Sequence, residues 1–92
     1  MRRVVVVGGG VYAPVLCEAL ARSLDGEPIT FCLVARDPQR LEAIAREADA
    51  RVRAAHAEGA VAHTTDLDAG VEGADHVVLL VRAGGLAARA AM

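Results

Sequence analysis

A chain of 92 residues with a formal net charge of −2, one Tyr, one Phe and no Trp has room for one small domain whose core is built from Val, Leu, Ile and Ala. Its interspersed charges give no electrostatic footprint for nucleic acid or an anionic membrane surface. All 10 basic residues are arginines, which excludes P-loop lysine and Schiff-base chemistry within the sequence. No apolar run approaches the roughly 18 residues that cross a membrane, and the valine run after Arg2 and Arg3 is too short for a signal peptide, so the sequence reads as cytoplasmic. Cys17 and Cys32 lack CxxC spacing and read as core thiols rather than a disulfide framework or a zinc site.

Residues 4–7 are consecutive valines, which suit a strand buried on both faces, as in the middle of a parallel sheet. Gly8, Gly10 and Ala13 then stand at the three positions of the G-x-G-x-x-G/A fingerprint. Gly8 makes the tight turn, Gly10 lets a pyrophosphate approach bare backbone, and Ala13 lets helix and strand pack closely. The anion would rest on the helix N-terminus, and Val11 and Tyr12 belong to the same candidate cofactor site. Leu16, Ala19, Leu20 and Leu24 recur at helical spacing, which predicts a helix over 12–24 with Pro14 in its first turn. Asp25, Gly26 and Pro28 end it.

Residues 29–35 read as the second strand. In dinucleotide folds an acidic residue about 20 positions beyond the glycines accepts hydrogen bonds from the adenosine ribose, whereas an arginine suits a 2′-phosphate. That position holds Ala35, followed by Arg36, so the sequence favours NADP over NAD, with Arg36 as a bidentate partner for the phosphate. Arg36 also reads as a solvated loop charge, and Asp37 as a helix N-cap.

Asp37 and Pro38 open a second helix predicted to reach about residue 57 and to stop near Gly59. Leu41, Ile44, Ala45, Ala48 and Val52 form its apolar stripe. On its other face Glu42 with Arg46 and Glu47 with Arg51 make i, i+4 pairs, Arg51 and Arg53 read as surface residues, and His56 caps or decorates the last turn. Residues 60–64 form a short third strand containing His63, which has no local partner at metal-ligand spacing. Thr65 or Asp66 caps a short helix carrying Leu67 and Val71 and closed by Gly73. Residues 77–81 form a second fully apolar strand.

Two such runs, 4–7 and 77–81, suit adjacent central strands of a parallel sheet. With right-handed crossovers the fold is a Rossmann-like α/β half, a four-stranded parallel sheet of order 3-2-1-4 with helices on both faces. Val81 ends the fourth strand beside the switch-point crevice between strands 1 and 4, where Arg82 and the following glycines leave the sheet.

Two segments carry a family resemblance. The run Gly73-Ala74-Asp75-His76-Val77-Val78, then Arg82-Ala83-Gly84-Gly85-Leu86-Ala87-Ala88-Arg89, resembles the GAD-hydrophobic and RVGGLEAR segment of family 4 glycoside hydrolases, the 6-phospho-glucosidases. The opening strand, triple glycine, aromatic and proline resemble the same family's GGGSSYTP, and Asp66 follows two threonines as in its TTD. The resemblance spans essentially the whole chain. It implies a nicotinamide cofactor, NAD or NADP, that accepts hydride from C3 of a phosphorylated sugar substrate. The C2 proton then becomes acidic, the aglycone leaves by elimination, and water and hydride are returned, unlike the two-carboxylate route of most glycosidases. It also implies that Arg89 contacts the substrate, its fork suiting a sugar phosphate, with Arg82 beside it.

In the same family, manganese-binding Cys and His and a tyrosine base lie beyond residue 92. The expectation is therefore a single truncated NAD(P)-binding domain, 1–92, without the catalytic and metal-binding domain and inactive by itself. Cys17, Cys32, His56, His63, His76 and Tyr12 do not match the family's metal and base motifs. The chain departs from the family in a glycine turn one residue shorter, in Val11 where a serine is usual, and in Ala35 where an acid is usual. The alternatives are the cofactor domain of a lactate- or malate-type 2-hydroxy-acid dehydrogenase and a non-catalytic nucleotide-sensing module. A bare edge strand and uncovered apolar surface predict a homo-oligomer.

Overall fold

A parallel neighbour cannot be reached through a tight turn, so each strand of such a sheet must hand over to a crossover. The chain does this three times: β1 (Arg2–Gly8), α1 (Tyr12–Ser23), β2 (Ile29–Val34), α2 (Pro38–Ala55), β3 (Gly59–Thr64), α3 (Leu67–Val71), β4 (His76–Leu80). The computed structural model describes residues 2–8, 10–23, 27–56 and 58–80. The strands pair in parallel in the order β3-β2-β1-β4, as the valine runs and the crossover rule imply.

The helices start where the sequence supplies caps. Asp37 turns its carboxylate onto α2, where Oδ1 accepts from the amides of Gln39 at 3.1 Å and Arg40 at 3.2 Å, while Pro38 stands in the first turn. Asp66, rather than Thr65, caps α3 by accepting from the Ala69 amide at 3.2 Å. Small residues set the packing distance. Ala13, Cys17 and Ala21 of α1 and Ala45 and Ala48 of α2 are buried together with Val4, Val6, Phe31 and Leu33 of the sheet. The alternate side chains of β1 and β2, Val5, Cys32 and Val34, point to the opposite face and meet Val71 and Ala74 around α3. Helices therefore cover both faces, unequally.

α3 lies close to the sheet because Gly70 presents bare backbone. A Cβ there would stand 2.5 Å from Cγ2 of Val34. Polar ties reinforce the same corner. The Arg3 guanidinium donates to the carbonyls of Glu72 and Gly70, both at 3.1 Å, and the Arg3 amide donates to Asp75 Oδ2 at 2.8 Å.

Three expectations change in the folded chain. His56 does cap α2, its amide donating to the Val52 carbonyl at 2.8 Å, but it is only 3 % exposed and does not decorate the surface. The chain reverses into β3 beneath α2, and Nδ1 of the ring accepts the Glu58 amide at 3.0 Å. That acceptor role requires the neutral ring with its proton on Nε2. Arg51 keeps its predicted bond to Glu47, at 3.0 Å, but also reaches Glu18 of α1 at 2.9 Å and so ties the two helices together. Glu18 in addition accepts from Arg22 at 2.8 Å. The Arg22 hydrogen bond, followed by that of Arg51, holds its carboxyl below the ordinary value. Finally, β4 pairs only with β1 among the described strands, so Val77 and Leu79 are 48 % and 65 % exposed despite their apolar run.

The predicted end of the first helix at 24–26 lies outside the described residues, whereas α2 ends at Ala55, short of the expected residue 57, because His56 leaves the helix in extended conformation. No described helix is long and apolar enough to cross a membrane.

Candidate functional site

The site grows out of the carboxyl end of β1. Gly8 has φ +80°, and a Cβ on it would lie 3.0 Å from the Leu80 carbonyl oxygen, so the strand can leave the sheet there only as glycine. Gly10 has φ +49°, yet nothing stands within 4 Å of where its Cβ would be. The turn is thus bare and open at Gly10, and its carbonyl accepts the Ala13 amide at 3.1 Å to start α1. Ala13 itself is buried against the core, as the third fingerprint position demands.

Across from the turn, β2 ends at Val34 and the chain passes through Ala35 and Arg36 to the Asp37 cap. Between these two strand ends lies an open cleft of about 70 Å³. Gly8 and Gly10 form one wall, Ala35, Asp37 and Arg40 the other, and Leu33 and Ile44 lie among the apolar side chains that complete it.

Gly8, Gly10 and Ala35 are therefore brought together in the lining of one cleft. Arg36 is exposed beside the cleft without lining it, and Val11 and Tyr12 are exposed on the turn, also outside the lining. Val81, Arg82 and Arg89 lie outside the described residues. Arg40 was not among the residues singled out in the sequence, although the charge pattern marks it. Arg46, Arg51 and Arg53 each pair with an acid four positions earlier, whereas four positions before Arg40 stands Arg36.

The remaining reactive side chains are elsewhere. Burial pushes the Cys17 thiol up to about 12, and Cys32 is buried on the other face of the sheet. His63 is exposed on β3, and His76 Nε2 lies 3.3 Å from Arg2 Nη1 at the opposite end of the sheet. Among the described residues no group of three or more His, Cys, Asp or Glu is placed to hold a metal ion.

The family model described as family 4 glycosyl hydrolase matches residues 3–91. The chain belongs to that family. The match runs from β1 through β4, so the glycine turn and its cleft are part of the family 4 domain. It selects glycosyl hydrolase over the dehydrogenase alternative that shares the architecture. No curated protein and no solved structure matches the chain significantly.

Proposed function

We propose that this family 4 domain binds NAD or NADP as the cofactor-binding part of a metal-dependent 6-phospho-glycosidase. The observation that carries the reading is the glycine turn. Gly10 offers bare left-handed backbone with open space over it, at the lip of a cleft leading to the carboxyl end of β2. In dinucleotide folds the pyrophosphate lies against such a turn and the adenosine ribose at the end of the second strand. The wall of Ala35 and Ile44 supplies apolar surface beside the ribose position, and Ala13 keeps α1 close enough to present its first amides.

When bound, the nicotinamide supplies a hydride acceptor and donor for C3 of the phosphorylated sugar. The chain's own residues bind and orient the cofactor. Arg89 and Arg82 are assigned to the sugar phosphate, whose oxygens match the guanidinium fork. The described residues offer manganese no ligand set, and none of them is assigned to the metal.

Calorimetric titration of the chain with NAD and with NADP tests the reading. At least one should bind, and Gly10→Val should weaken that binding roughly tenfold or more while circular dichroism stays unchanged, because the side chain would fill the phosphate position on strained backbone. Absence of binding by both dinucleotides at millimolar concentration would show the reading to be wrong.

A further inference from the structure

Eight arginines lie among the described residues, and six are committed. Arg2, Arg22, Arg46, Arg51 and Arg53 are in ion pairs, and Arg3 donates to backbone carbonyls. Among the described residues Arg36 and Arg40 make neither kind of contact, and both follow the carboxyl end of β2, Arg36 exposed on the loop and Arg40 in the wall of the cleft. Arg40 is also badly placed for the helix that carries it. It sits in the first turn of the 18-residue α2, a turn without an acidic residue, and there the helix dipole opposes a cation. Two uncommitted cations at one end of a cleft are what a doubly charged phosphate would neutralise.

The helix N-terminus does not itself provide the anion site, because the amides of Gln39 and Arg40 already donate to Asp37. The same cap already occupies Asp37 Oδ1 with two amides, and Ala35, which stands where an acid would accept the ribose hydroxyls, has no carboxylate. Taking the dinucleotide reading as its premise, we infer that Arg40 and Arg36 form a clamp for the 2′-phosphate of the adenosine ribose. The chain therefore takes NADP(H) in preference to NAD(H), with Arg40 the principal specificity residue. Arg40 approaches from the cleft wall and Arg36 from the exposed side, so the phosphate is held by two forks and not by backbone amides.

The test is calorimetric titration of the chain with four probes: NADP, NAD, 2′,5′-ADP and 5′-AMP. NADP and 2′,5′-ADP should bind tighter than their partners without the 2′-phosphate. Arg40→Ala should weaken both roughly ten- to a hundredfold while leaving NAD within about twofold, the range for losing a charge-assisted hydrogen-bond partner. Arg36→Ala should do the same to a smaller degree.

Equal affinity for NAD and NADP, or an equal loss of both in Arg40→Ala, would overturn the clamp and leave the dinucleotide reading standing. So would a tenfold loss of NAD in Asp37→Asn with NADP untouched by Arg40→Ala, since Asp37 would then be the ribose ligand. If none of the four probes binds, the dinucleotide reading itself fails and the clamp with it.

Discussion

The two faces of the sheet are built on different principles. Under α1 and α2 a continuous buried cluster runs from Val4, Val6 and Phe31 through Cys17 and Ala21 to Ala48 and Val52. Under α3 the buried cluster is only Val5, Cys32 and Val34, and the short helix is fastened by the Arg3 guanidinium and by bare backbone at Gly70. One face is held by apolar burial, the other largely by polar ties. The cleft opens at the rim of the first, between α1 and α2, and Val34 is the one residue of the second cluster that lines it. Loosening the α3 side should leave the cleft unchanged.

The largest effect is expected from Phe31→Ala, which empties the centre of the α1 and α2 face. Urea titration should show a loss of about 3–5 kcal/mol, comparable to the whole stability of a small domain. Val5→Ala removes the middle of the other face and should cost about 2 kcal/mol. Dinucleotide affinity of the folded fraction should stay the same, whereas a parallel loss of affinity would show that the faces are not independent.

Arg3→Ala should be milder, about 1–2 kcal/mol, and local. Hydrogen exchange should accelerate in α3 and leave α1 protected. Equal acceleration in both helices would erase the distinction between the faces.

The smallest effect concerns the exposed tie between α1 and α2. Glu18 has its carboxyl held below the ordinary value in the fold by Arg22 and then Arg51. Its contribution is therefore present above the ordinary carboxylate range and is lost as pH falls through the lowered value. Urea midpoints measured from pH 7 down to pH 3 should fall less in Glu18→Gln than in the parent chain. Identical slopes would show that the pair is solvated and contributes nothing.

What could be read from the sequence was what short-range chemistry decides. The valine run and the glycines after it, the Asp37 cap and the apolar stripe of α2 are all local patterns, and each has its structural counterpart. The strand order followed from them through the handedness of crossovers. Long-range partners were not legible in the same way. Arg51 has a satisfactory local acid in Glu47, which conceals Glu18, 33 residues away. Burial of His56 depends on where β3 turns back, and nothing in its neighbours encodes that.

The apolar run of β4 states a tendency to be covered but not by what, so its exposed side chains could not be foreseen. At the candidate site the glycines and Ala35 were visible through spacing alone. Arg40 was hidden because it reads as one more charge on a charged helix, and only the folded cleft separates it from the paired arginines.

One consequence of the sheet's connectivity concerns time. β1 opens the chain, yet its second neighbour arrives with β4, and the bond between Arg3 and Asp75 spans 72 residues. At a synthesis rate of about 5–20 residues per second, the valine edge of β1 waits on the order of ten seconds for that partner. Pairings between such distant segments are also intrinsically slow to form. Because the β1–β4 register ends with Gly8 opposite Leu80, the glycine turn takes its final shape only as this seam closes. β1 thus precedes β4 on the ribosome yet is completed only by it, and dinucleotide binding should appear after that pairing has formed.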